Sequence, residues 1–309
     1  MACRFGITAI GDDAERLTDA AEDAFHEIER IESLLNMYDA DSMLSAVNQT
    51  AASRPTEVDD EVFELLLVAG TIWERTGGAF DPTMGPLVRL WRAWRSAGAP
   101  PDQDAIDQTR QQVGMDHVKV DVPGRTVWFD RPGVEIDLGA IGKGYAVDRA
   151  VAVLEGFGID HCLVHGGTST IAARGSMDAG STGWRIGLTD PSDRQRDDDV
   201  IVLRDVACAC SNQQNQSYEY EGRQLGHVID PRTGWPAPAE SSMLVISASA
   251  TEADALSTAS LVLGEDAAAE LTRTFPEVRI RCLAAGAEPA PGMPDRASGE
   301  NDRERVYET

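Results

Sequence analysis

Asp254 and Thr258 stand four residues apart in Thr251-Glu252-Ala253-Asp254-Ala255-Leu256-Ser257-Thr258. On a helix that separation sends both side-chain oxygens to one side. A carboxylate and a hydroxyl are hard ligands suited to Mg2+, which completes its octahedron with waters, phosphate oxygens or carbonyls. The alternative is an acid serving the helix dipole near an N-terminus, with Thr258 turned to the core. A second stretch, residues 134–148, reads V-E-I-D-L-G-A-I-G-K-G-Y-A-V-D. It suggests a short strand over 134–138, a turn with Gly139, Gly142 and Gly144, and the start of a helix. Backbone amides at such a helix N-terminus can hold a phosphate. The spacing fits neither G-x-x-x-x-G-K-[ST] nor G-x-G-x-x-G, so a phosphate-bearing ligand and a plain tight connection both stay open. Lys143, inside this turn, is one of two lysines in the chain; the other is Lys119.

Other groups could share such a site. Asp137 ends the expected strand, so its carboxylate should emerge at the ligand-facing end. His227 and Asp230 straddle another strand end, in His227-Val228-Ile229-Asp230-Pro231-Arg232-Thr233-Gly234. There they could orient a substrate or share a proton. Tyr38, Phe80 and Tyr145 could enclose a planar ring, although Phe80 also suits a core plug. Gly166-Gly167, at the end of an apolar strand and before Thr168-Ser169-Thr170, permits either a close ligand approach or a bulge. The G-x-S-x-G elbow and the H-E-x-x-H zinc motif are both missing, which removes the common hydrolase and zinc-protease readings. The five cysteines form no C-x-x-C pair, so a structural zinc or redox dithiol is not expected.

These residues need a scaffold, and the spacing supplies one. Apolar residues recur at helical intervals over 14–35, 60–76, 145–154 and 251–262. Short strands are expected at 5–10, 117–121, 126–130, 161–165, 184–188, 200–210, 243–249 and 279–283, several of them in hairpins. Helices mixed with hairpins predict an α+β protein of largely antiparallel sheets with flanking helices, rather than a doubly wound parallel sheet. Residues 1–285 read as one catalytic domain, and 286–309 as an acidic, proline-rich, disordered tail. A formal charge of −25 on 309 residues argues against a nucleic-acid partner, whose backbone needs a positive field. No membrane span is legible. Residues 1–10 lack a secretory signal, so the expected compartment is the cytoplasm, or the periplasm or a membrane anchor if a leader precedes Met1.

Taken in order, several blocks resemble the ApbE-type FAD:protein FMN transferases. They are Met1-Ala2-Cys3-Arg4-Phe5; Met37-Tyr38-Asp39-Ala40-Asp41-Ser42; Gly77-Gly78-Ala79-Phe80-Asp81-Pro82-Thr83; and the run from Asp137 to Asp148. Gly166-Gly167, the block from His227 to Gly234, and Ala253-Asp254-Ala255-Leu256-Ser257-Thr258-Ala259 complete the set. The resemblance implies an ApbE-like fold and an enzyme that binds FAD with Mg2+. It would place FMN, through a phosphoester, on a Thr or Ser hydroxyl of an acceptor flavoprotein and release AMP. Carried over by position, Asp254, Thr258, Ser257 and the carbonyl of Ala140 would hold the metal. Met1, Tyr38, Ala79, Phe80, Asp81, Asp137 and Lys143 would contact FAD, with His227, Asp230 and Lys143 at the reacting centre. Two departures stand out. Cys210-Ser211-Asn212 replaces the family's T-S-G, with Gln213-Gln214-Asn215-Gln216 after it, and Ala2-Cys3 replaces Gly-Thr. A flavin carrier without transfer activity, or an FAD pyrophosphatase using water as acceptor, are the alternatives.

Overall fold

Strands that are apolar on both sides need cover on both faces, and the central sheet of this protein has it. The structure is a computed structural model describing residues 3–97, 100–178, 180–189, 200–213, 217–220, 223–237, 241–284, 288–291 and 304–308. The N-terminal half holds β1 (Phe5–Ile10), α1 (Ala14–Leu35), α2 (Met43–Thr50), β2 (Thr56–Glu57), α3 (Asp60–Arg75), α4 (Gly85–Ala97), α5 (Gln103–Arg110), β3 (Val118–Asp121) and β4 (Thr126–Phe129). Then follow α6 (Gly142–Gly156), β5 (Cys162–Gly166), β6 (Thr170–Arg174), β7 (Trp184–Thr189), β8 (Val200–Leu203), β9 (Val206–Ser211), β10 (Tyr218–Tyr220) and β11 (Arg223–Leu225). The chain continues through β12 (Ser241–Ser247), α7 (Ala250–Leu263), α8 (Glu265–Thr274), β13 (Arg279–Ala284), β14 (Glu288–Pro291) and β15 (Glu304–Glu308).

Seven strands form one sheet in the order β13-β12-β9-β6-β5-β1-β15, with every ladder antiparallel. On one face, Phe5, Ile7, Ala9, Cys162 and Val164 meet Leu17, Ala24 and Ile31 of α1 and Val147, Val151 and Leu154 of α6. On the other, Leu163, Ile171, Cys208, Cys210 and Leu244 meet Trp184, Ile186 and Leu203. These belong to a second sheet, β14-β7-β8. Cys208 and Cys210 therefore act as small buried hydrophobes, and burial pushes the Cys208 thiol up to about 12. A further core joins α2, α3, α7 and β4. The class is α+β with flanking helices.

Two expectations change. Residues 134–138 are extended but join no ladder. Asn48 takes the place of a neighbouring strand: its Nδ2 donates to the Ile136 carbonyl and its Oδ1 accepts from the Ile136 amide, both at 2.8 Å. The Asp137 amide donates to the Pro82 carbonyl at 2.7 Å. Val134, Ile136 and Leu138 are buried in the core, yet side chains and loops satisfy the backbone. The tail is corrected over its described parts. Glu288–Pro291 pairs with β7 and Glu304–Glu308 with β1. An open sheet edge offers unpaired backbone groups that offset the low apolar content of such a segment, and Tyr307 adds a hydrogen bond to Thr18 at 3.1 Å.

Candidate active site

The tightest polar convergence lies where α6 and α7 cross. Gly144 permits that approach, since a Cβ there would stand 2.1 Å from the Ala250 carbonyl oxygen. Asp148, one turn further along α6, satisfies the N-terminus of α7. Its Oδ1 accepts from the Ala250 amide at 2.9 Å, and its Oδ2 from the Thr251 amide at 2.9 Å and the Thr251 hydroxyl at 2.6 Å. A carboxylate on otherwise orphaned amides also answers the positive end of the helix dipole. Residue 254, one turn on, is thereby fixed against the start of α6.

Asp254 is buried, and its carboxylate is fully engaged. Oδ1 accepts from Lys143 Nζ at 2.8 Å and the Thr170 hydroxyl at 3.3 Å, while Oδ2 accepts from the Gly144 amide at 3.0 Å. Ser257 and Thr258 stand beside it. The Ser257 hydroxyl lies 2.8 Å and the Thr258 hydroxyl 3.3 Å from the Ser211 hydroxyl at the end of β9. Among the described residues no three His, Cys, Asp or Glu side chains cluster as metal ligands. A cation here would draw on one carboxylate and hydroxyls. That all-oxygen set fits Mg2+ and does not suit zinc or copper. Lys143 meanwhile supplies the charge that balances Asp254.

The other sequence candidates fall into three places. Tyr38 is exposed, with the Arg92 guanidinium 4.8 Å from its ring centre. Asp137 belongs to this group: partial burial, then the Asp137 charge, raises the Tyr38 hydroxyl above its ordinary range. Burial also raises the Asp137 carboxyl, against the Gly139 amide that donates to it at 2.8 Å and the Arg92 charge. Ala79, Phe80 and Asp81 follow two glycines of positive φ, Gly77 and Gly78, and all three are buried. Phe80 plugs the α3 core. Asp81 accepts from Trp73 Nε1 at 2.9 Å and from the Thr83 amide and hydroxyl at 2.8 and 2.5 Å. Their side chains thus point inward. Ala140, half-buried, packs at the rim of the same core. Met1 lies outside the described residues.

Asp230 sits on a loop closed by the Ile229–Pro236 bridge, and His227 lies two residues before that bridge. Both Asp230 oxygens face Arg232: Oδ1 accepts from its Nε at 2.9 Å and Oδ2 from its Nη2 at 2.8 Å. This ion pair raises Arg232 further. The loop is anchored to α4 by Trp91 Nε1, which donates to the Gly234 carbonyl at 2.8 Å, and to α5 by Trp235 Nε1, which donates to Gln103 Oε1 at 3.1 Å. Sequence reasoning missed Thr170, Ser211, Arg92 and Asp148 as participants. For Thr170 and Ser211 a signal existed, since they belong to the hydroxyl run after Gly166-Gly167 and to the C-S-N block. Arg92 had none.

Known proteins resemble this chain over most of its length. The sequence model of the ApbE family matches residues 1–282. The FAD:protein FMN transferase of Treponema pallidum (strain Nichols) is 34% identical over 273 residues, covering 84% of this chain and 75% of the relative. The FAD:protein FMN transferase of Escherichia coli (strain K12) is 32% identical over 270 residues, covering 85% and 76%. Among solved structures, the ApbE protein of Thermotoga maritima superposes with a TM-score of 0.79 at 29% identity, covering 92% of this chain and 93% of that one. The flavin transferase ApbE of Vibrio cholerae gives 0.77 at 26% identity, covering 100% and 94%.

Proposed function

The chain belongs to the ApbE family, and from that premise we propose that it is an FAD:protein FMN transferase acting on a Thr or Ser hydroxyl of an acceptor flavoprotein. The observation that supports the chemistry best is Lys143 Nζ 2.8 Å from a buried Asp254, with the Ser257, Thr258 and Ser211 hydroxyls grouped beside the pair. Asp254, Thr258, Ser257 and the Ala140 carbonyl would hold Mg2+, which supplies charge neutralisation over the pyrophosphate and the departing AMP. Tyr38, Asp137 and Arg92 form a wall suited to the flavin nucleotide, to which Ala79, Phe80 and Asp81 would offer backbone.

In the reaction the acceptor hydroxyl oxygen attacks the phosphorus on the riboflavin side. The bond to the bridging oxygen breaks, and AMP leaves with that oxygen. Phosphoryl transfer depends mainly on positioning and charge. Lys143 exchanges its hold on Asp254 for a phosphate oxygen. His227 takes the hydroxyl proton, because Asp230 is committed to Arg232 and serves the turn. The test is incubation with FAD, Mg2+ and a candidate acceptor domain, following acceptor mass and AMP. A mass gain of one FMN with stoichiometric AMP is expected. AMP without mass gain would make the protein a pyrophosphatase, and neither product would make it a carrier.

A further inference from the structure

Two residues after Ser211 the chain places Gln213, fully buried, with its amide turned to the loop that bears His227. Its Oε1 accepts from the Val228 amide at 3.0 Å, and its Nε2 donates to the Val228 carbonyl at 2.9 Å. The same Nε2 donates to the Ala237 carbonyl at 3.0 Å. A side-chain amide that both accepts from and donates to one residue imitates the pairing of a neighbouring strand. Here it also spans the loop, because the Ala237 amide donates to the Val228 carbonyl at 2.9 Å.

Gly226, on the other side of His227, lies against the same group. A Cβ on Gly226 would stand 1.8 Å from Gln213 Oε1 and 2.2 Å from its Cδ. One neighbour of His227 is therefore hydrogen-bonded to this side chain and the other packs against it. Two residues upstream of Gln213, the Ser211 hydroxyl touches Ser257 and Thr258 of α7. The run Ser211-Asn212-Gln213 thus has one end on the helix of Asp254 and the other on the loop of His227. We infer that Gln213 is a positioning residue, a clamp that fixes His227 relative to the hydroxyls of α7. Its catalytic consequence rests on the transferase reading above; the clamp itself does not.

Gln213→Met keeps most of the volume and removes all three hydrogen bonds. Two measurements follow on the full chain. In 13C-histidine-labelled protein the His227 resonance, assigned by its loss in His227→Gln, should shift or broaden, while those of His26, His117, His161 and His165 hold. With FAD, Mg2+ and an acceptor domain, kcat for AMP release should fall about 30-fold while the Kd for FAD stays within about threefold, since small misplacements of a reacting group cost rate more than binding. An unmoved His227 resonance overturns the clamp, whether or not kcat falls. If Gln213→Met does not fold, Gly226→Ala displaces the amide from the opposite side and carries the same readouts. A shifted resonance in a protein whose wild type yields no AMP with any acceptor would keep the clamp and sink the transferase reading.

Discussion

Two of the three partners of the Asp254 carboxylate respond differently to substitution. Removing its carboxylate strands the Lys143 ammonium, a quarter of whose side-chain surface is exposed, and the Gly144 amide. Breaking a fully dry pair costs about 3–5 kcal/mol; with Lys143 partly in water, Asp254→Ala should cost about 2 kcal/mol. Asp254→Asn can keep an acceptor for Gly144 but turns an NH2 toward Lys143 and Thr170, losing the charge and one acceptor, so its cost should lie at about 1–2 kcal/mol. Turnover should fall at least ~100-fold in both variants, equivalent to about 2.7 kcal/mol of transition-state stabilisation. Denaturant titration beside AMP release separates the two effects. Full activity in Asp254→Asn would remove the charge from the mechanism. Asp254, Lys143 and Thr258 were legible in the sequence because each belongs to a short local pattern. Gln213 and Arg92 were not, because their roles arise from contacts between segments far apart in the chain, which leave no local periodicity.

The elements holding these groups are coupled at two places. At the α6–α7 crossing, Gly144→Ala would drive a methyl into the backbone of residue 250, which cannot yield as a flexible side chain does. Overpacking of this kind costs about 1–3 kcal/mol, so the melting temperature should drop by about 2–12 °C at roughly 2–4 °C per kcal/mol. Transfer activity should be lost with it, since α7 carries Asp254. At the other place, Arg30 and Arg149 bridge Glu27 and Glu61 across α1, α3 and α6. The Arg30 hydrogen bond, resisted by partial burial and aided by Arg149, holds Glu27 down at about 2 from its usual 4.5. A depressed carboxylate stabilises the fold above its unfolded pKa and loses that contribution as the pH falls through the folded value. Glu27→Gln should thus lower stability by about 1 kcal/mol at pH 7, and the difference from wild type should close between pH 4.5 and about 2. A constant difference across that window would show packing, not charge, to be the cause. The helix over 14–35 was readable to its ends, because its apolar stripe and the Asp13 cap are local. The sheet order was not, since antiparallel partners such as β1 and β15 are separated by nearly the whole chain. The run at 134–138 suggested a strand and said nothing about Asn48 as its partner.

At the scale of the molecule, a charge of −25 must admit a ligand that bears two phosphates. The helix N-terminus, Lys143 and Arg92 act over a few ångströms, whereas the net negative field reaches as far as the ions of the solution allow. The Debye length falls from about 30 Å at 0.01 M salt to about 8 Å at 0.15 M. Association of an anion with a protein of the same sign should therefore quicken as salt rises, opposite to the usual attraction-steered case. Stopped-flow flavin fluorescence should show the association rate for FAD rising several-fold over that range, with the dissociation rate little changed. Chelation acts on the other side of the balance. EDTA leaves Lys143 paired with Asp254 and the phosphates with less positive charge to meet, so equilibrium FAD affinity should fall at least tenfold, about 1.4 kcal/mol, and return with Mg2+. Affinity unchanged by EDTA would mean that Lys143, Arg92 and backbone amides suffice for the dianion. In that case Asp254 would serve as the counter-ion of Lys143, and the metal would leave the account of this site.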